Sequence, residues 1–189
     1  MKLLRALLLW VSFPAMAAMA ELDLSPQPEV FDLDGTEISQ LTFGNGHLPK
    51  VSYQPPRDWK CTGSRDQLLV QPEQLSQASA KVTKLPESEA INLDDAGKEE
   101  LRQKALRSLP QGSQNPEISV EQVDALQIDG LHTYLVELKY TFFGEKFACY
   151  SMTVDRKPHA LNFRLTCREK DYDVLRKAFE KSLCTWQNL

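Results

Sequence analysis

The chain has 189 residues, with 26 acidic against 22 basic side chains and a net charge of −4. That balance argues against a phosphate-backbone-binding surface, which needs a basic face. The length suits a single domain with a sizeable core.

Lys2 and Arg5 make a cationic start, and Ala6 to Met16 is apolar. Ala18 and Ala20 then place small side chains at −3 and −1 of a cleavage site before Glu21. Residues 1–20 are therefore expected to be a cleavable secretory signal, cut between Ala20 and Glu21, with Ala17 as the second choice. A membrane anchor is opposed by Pro14 and by the short apolar run, because a spanning helix needs about 20 apolar residues. No Cys follows that run to carry a bacterial lipid anchor, and no later segment is apolar enough to span a bilayer. The signal holds two of the basic residues and none of the acidic ones, so residues 21–189 carry a charge of −6. The expected location is periplasmic or extracellular.

Residues 21–47 read as a lead-in. Pro26 and Pro28 break its start, and Val30 to Ile38 forms a hairpin with Asp34-Gly35 at the turn. That turn sets Phe31 opposite Ile38 and Leu33 opposite Thr36. Phe43 to Gly46 is a second turn. The main domain is expected over 48–189. Short strands start at Val51, Trp59 and Gln67, and Ala78 to Leu85 alternates with strand period.

Residues 93–109 predict a helix, capped by Asn92 or Asp94. Leu93, Gly97, Leu101, Ala105 and Leu109 form its stripe, with Leu106 beside it. A polar loop over 111–117 follows. Strands come next over 119–127, 132–143, 146–155 and 161–168, with Gly144-Glu145 turning the central hairpin. A helix over 171–183 closes the chain, and Val174, Leu175, Ala178, Phe179, Ser182 and Leu183 mark its buried face. An antiparallel sheet flanked by helices is an α+β architecture.

Four cysteines in an oxidising compartment suggest two disulfides, whereas zinc lacks any CxxC-like spacing here. If Phe143 pairs with Lys146 and Asp155 with Leu161, then Cys149 faces Cys167. Period-two alternation then puts Tyr140, Phe142 and Phe147 on the same side. The expected bridges are Cys149–Cys167 and, by elimination, Cys61–Cys184. Trp59 and Trp186 would pack on the second of them.

Asp32-Leu33-Asp34-Gly35-Thr36 resembles the DxDGT signature of haloacid-dehalogenase-like phosphatases. In those enzymes the first Asp is the nucleophile and the second the acid/base, beside magnesium at the end of a buried parallel strand. Here the preceding strand is short and the following residues alternate like a hairpin arm, which favours the turn reading. His47, His132 and His159 lack i, i+4 or HxH spacing, so no shared metal site is expected. No GxSxG motif is present, and no cofactor is implied. The aromatic residues, Phe142, Phe143 and Tyr150 among them, read mostly as core.

The segment Tyr53-Gln-Pro55-Pro56-Arg-Asp-Trp59 opens a strand. Strand, helix, antiparallel hairpins and a helix ending Phe179-Glu-Lys-Ser182-Leu183 follow it. Over about residues 48–188 this order resembles the PsbP/Mog-like group. The resemblance implies an α-β-α sandwich and a non-enzymatic role. Known members include photosystem accessory subunits and a small-GTPase partner. The four cysteines and the export signal depart from those members, so no functional residues are carried over. The expectation is an exported, non-enzymatic binding or accessory domain for a protein or envelope component. The alternatives are a magnesium phosphatase using Asp32 and Asp34, and a small-ligand carrier.

Overall fold

The computed structural model describes residues 22–44, 51–86, 91–156 and 159–189. The secretory signal, its Ala20/Glu21 junction and His47 lie outside the described residues. Among the described residues, eleven strands and two helices follow in chain order. The strands β1 to β6 are Gln27–Leu33, Thr36–Phe43, Val51–Tyr53, Trp59–Ser64, Gln67–Pro72 and Ser79–Lys84. Helix α1 is Asp95–Arg107, and β7 to β10 are Gln114–Val123, Thr133–Phe142, Glu145–Val154 and Leu161–Arg168. A 3-10 turn, Glu169–Asp171, leads into α2, Tyr172–Leu183, and β11 is Gln187–Asn188.

The strands form two sheets. The larger runs β4-β5-β6-β10-β9-β8-β7 and the smaller β1-β2-β3-β11. Neighbouring strands pair antiparallel in both. The α+β class is thus observed. Helix α1 sits in the crossover that carries the chain from β6 to the far edge, and β10 returns to lie beside β6.

Alternation along the strands separates two cores, as the pleat requires. Leu68, Val70, Ala80, Val82, Tyr150, Met152, Phe163 and Leu165 point to one side, where Leu175, Phe179 and Leu183 of α2 join them. Phe43, Val51, Tyr53 and Trp186 complete that core from the small sheet side. On the other side Tyr134, Val136, Leu138, Tyr140 and Cys149 pack with Ala105 of α1, flanked by Leu101. Leu22 and Leu24 are buried in the first core, so the described start of the chain is packed rather than trailing.

Local chemistry accounts for the helix ends. Asp94 caps α1 by accepting a 2.8 Å bond from the Gly97 amide. Gly97 is required by close approach, since a Cβ there would lie 2.0 Å from the Asn92 carbonyl oxygen. The helix spans Asp95–Arg107 rather than 93–109, with Ser108 at its C-cap. In α2 the buried face is Tyr172, Leu175, Phe179, Ser182 and Leu183. Val174, expected inward, is 75% exposed. The helix is rotated so that Tyr172 takes that place.

Three further expectations are corrected. The polar stretch 114–117 belongs to β7, an edge strand with register shifts at Gln114/Glu117 and Ile118/Val120. Those irregularities erase the alternation that would have revealed it, and Pro116 is tolerated because the strand is at an edge. The central hairpin turns at Phe143-Gly144, not Gly144-Glu145, so Tyr140 faces Phe147 and Leu138 faces Cys149. That shift is two residues and leaves the faces unchanged. Between β9 and β10 the shift is one residue. Leu161 pairs with Val154, Thr166 with Cys149 and Cys167 with Ala148. A one-residue slip moves every side chain to the opposite face. Cys149 therefore lies in the α1 core and Cys167 in the α2 core.

That register sets Cys149 and Cys167 on opposite faces, and neither the Cys149–Cys167 nor the Cys61–Cys184 bridge is formed in this structure. All four cysteines, Cys61, Cys149, Cys167 and Cys184, are free thiols. Trp186 packs instead on rings, 5.4 Å from Phe43, 5.6 Å from Tyr53 and 5.2 Å from Phe163 between centroids.

Candidate functional site

The Asp32/Asp34 pair occupies the tip of the β1–β2 hairpin. Asp34 and Gly35 both have positive φ, 52° and 81°, which is the backbone of a type I′ turn. The Asp32 Oδ1 accepts a 2.7 Å bond from the Gly35 amide. Both carboxylates are exposed on antiparallel strands, far from the buried parallel-strand end that the phosphatase chemistry needs. His132 contacts Asp124 at 3.2 Å and His159 contacts the Leu85 carbonyl at 3.2 Å. Among the described residues no group of three His, Cys, Asp or Glu gathers as metal ligands do. Nor is any described helix long and apolar enough to cross a membrane.

The surface that stands out is the β8–β9 hairpin tip. Phe143 and Gly144 both have positive φ, 48° and 78°. Gly, Asn and Asp suit such a turn; a bulky aromatic in the left-handed region carries strain. The same Phe143 is 91% exposed. Among the described residues little recovers that cost, since the 91% exposed ring has Phe142 as its aromatic neighbour, with centroids 4.3 Å apart.

An aromatic ladder supports the tip from below. Phe142 meets Phe147 edge-on at 6.2 Å, and Phe147 stacks on Tyr140 at 5.7 Å. Tyr140 is buried in the α1 core, so the ladder joins the exposed ring to the packed interior. Such anchoring lowers the entropy cost of presenting the ring to a partner.

Beside the tip is a charged crevice of about 330 Å³, lined by Glu145, Lys146, Arg168, Glu169 and Lys170. Strand β10 supplies Arg168, and its Nη2 donates to Glu145 at 2.8 Å. Its Nε is buried with no acceptor. An orphaned buried donor is costly and uncommon in folded proteins. Lys139 pairs with Glu169 at 2.8 Å, which raises the Lys139 ammonium and lowers the Glu169 carboxyl from their ordinary ranges. An exposed aromatic with a charged, partly unsatisfied rim matches the anatomy of a protein-binding hot spot. Sequence reasoning placed Phe143 in the core because it set the turn one residue too late. The available signal was Gly144, which suits the positive φ that the second position of the turn requires.

No family model matches the chain, and no curated protein matches its sequence. Solved structures do match. The PsbP protein CyanoP from Synechocystis sp. PCC 6803 aligns at a TM-score of 0.53 and 13% identity, over 95% of this chain and 99% of that one. LpqN, involved in cell envelope biogenesis of Mycobacterium tuberculosis, aligns at 0.41 and 11% identity, over 82% and 88%. A Pseudomonas aeruginosa protein of unknown function aligns at 0.42 and 12% identity, over 84% and 94%. The chain has the PsbP-like fold.

Proposed function

We propose that this chain is an exported, non-enzymatic accessory domain that docks on an envelope protein through the β8–β9 hairpin tip. The observation that carries the reading is Phe143, strained and 91% exposed on an aromatic ladder. An exposed residue that costs stability and packs little beyond Phe142 is accounted for by a contact outside the fold. The PsbP-like fold supports an accessory role, the leader-like residues 1–20 support export, and the partner is expected to be a protein. Its contact would offer an apolar pocket for Phe143 and polar or charged groups for the crevice lined by Glu145, Lys146, Arg168, Glu169 and Lys170.

A photoreactive aromatic amino acid placed at position 143 tests this in intact cells of the native host. One discrete envelope-protein adduct, lost when Arg168 is replaced by Gln, is the expected result. Adducts to lipid alone, or none, would refute the docking role. The phosphatase reading keeps its own test. Magnesium-dependent hydrolysis of a phosphate ester, abolished by Asp32→Asn, would replace the accessory role with an enzymatic one.

A further inference from the structure

Among the described residues, the face of the large sheet that carries α1 is only partly covered. A helix of 13 residues is about 20 Å long, and seven strands span about 28 Å at the usual spacing. The described core contacts of α1 fall on β7, β8 and β9. On β6 and β10 the alternation sends Ala80, Val82, Phe163 and Leu165 into the opposite core. Their neighbours, Ser79, Lys81, Thr83, Asn162, Arg164 and Thr166, face the uncovered side.

These six residues form three directly opposed pairs: Ser79 with Thr166, Lys81 with Arg164 and Thr83 with Asn162. Together they floor a cleft of about 410 Å³, walled by Ser108 and Pro110 just past the end of α1. Two features make the cleft unusual. Like charges stand directly opposite across the strands, an arrangement that is unfavourable unless something answers it. Neither Lys81 nor Arg164 forms an ion pair with any described carboxylate. On the same face, Arg164 and Thr166 meet the Cys149 thiol, whose ionisation is disfavoured by burial, so it supplies no carboxylate-like counter-charge. Around the cations are hydroxyls and a carboxamide, groups that both donate and accept. Asn162 is held by Ser151 at 3.1 Å, which fixes part of the floor before any ligand arrives.

We propose that this cleft binds a small polyhydroxylated oxyanion, with its phosphate or carboxylate between Lys81 and Arg164 and its hydroxyls on Ser79, Thr83, Asn162 and Thr166. Charge complementarity selects the anion, and the guanidinium offers a planar fork for paired oxygens. Hydroxyl-bearing ligands are selected because a purely apolar one would leave the polar floor unpaired. The cleft shares no lining residue with the crevice beside the β8–β9 tip, so either site can fail in experiment without the other.

The test is amide NMR titration of the mature chain with glucose 6-phosphate, glucuronate, glucose and sodium chloride. The expected result is saturable shifts on β6 and β10 with one or both anions, weaker shifts with glucose, and none of that pattern with chloride. Lys81→Gln, at an exposed position, should weaken binding about tenfold, the loss expected for one charge-assisted bond. Arg164→Lys should retain more affinity than Arg164→Gln. Shifts from glucose 6-phosphate only would assign a phosphate ligand, and from glucuronate only a carboxylate. No saturable shift, equal binding by the Lys81→Gln protein, or the same response to chloride would overturn the proposal.

Discussion

Replacing Phe143 with Asn should make the isolated protein more stable while disabling it. The left-handed backbone costs an L-residue about 1–2 kcal/mol, and Asn-Gly is the preferred type I′ pair. Against this stands what the ring now contributes. It is 91% exposed, so it hides only a tenth of a side chain that buries about 200 Å² at most, or about 0.5 kcal/mol. The contact with Phe142, at 4.3 Å, adds a fraction of the about 1 kcal/mol measured for buried pairs. The net gain is about 0.5–1 kcal/mol, which raises the melting temperature by about 2–3 °C for a domain of this size. Thermal and urea unfolding followed by circular dichroism read that change, with Phe143→Gly as a second variant of the same sign. Most substitutions destabilise, so the direction is diagnostic. The same change should weaken partner binding about thirtyfold or more, the loss expected for a central aromatic anchor. A fall in stability of 1 kcal/mol or more would show that the ring supports the fold, and the reasoning would fail.

Other outcomes follow from the register, the packing and the ion pairs. Non-reducing peptide mapping should yield no Cys149–Cys167 peptide, and alkylation of the native protein should reach exposed Cys184 first. Burial pushes the Cys61 thiol up to about 11 and Cys167 up to about 12, so both should react slowly at pH 8. Gly97→Ala should destabilise by about 1–3 kcal/mol despite the higher helix propensity of Ala, because its Cβ meets the Asn92 backbone; unchanged urea unfolding would contradict this. Glu121 accepts a 2.7 Å bond from the Tyr134 hydroxyl and pairs with Arg102, which lowers its carboxyl below the ordinary 4.5. A depressed carboxyl stabilises above its unfolded pKa, and that contribution is lost as pH falls through the folded value. Glu121→Gln should therefore flatten the stability–pH curve below about pH 4.5, and an unaltered slope would count against the linkage.

Several parts of this fold were legible in the residues alone. Leu161–Arg168 alternates strictly because one face is buried, and the strand bounds coincide with the alternation. Asp94 was readable as a cap because a carboxylate before an apolar periodic run satisfies a free helix amide. The turn residues were harder. Phe-Gly does not advertise a type I′ turn as Asn-Gly does, and the tip was therefore hidden among core aromatics. The β9–β10 register did leave a trace, since Tyr150, Met152 and Val154 are the apolar partners that Leu161, Phe163 and Leu165 require. The appeal of a facing cysteine pair obscured it.

By itself the sequence determined the α+β composition, the approximate places of most strands and both helices, and, in the regular strands such as Leu161–Arg168, which residues share a face. Those are local properties, written in periodicity and caps. Tertiary structure alone decided which strand lies beside which, how far α1 reaches across the sheet, and hence that Lys81 and Arg164 stand opposed in an open cleft. Pairing partners far apart in the chain are selected by the whole packed core, and no short window of residues contains that information.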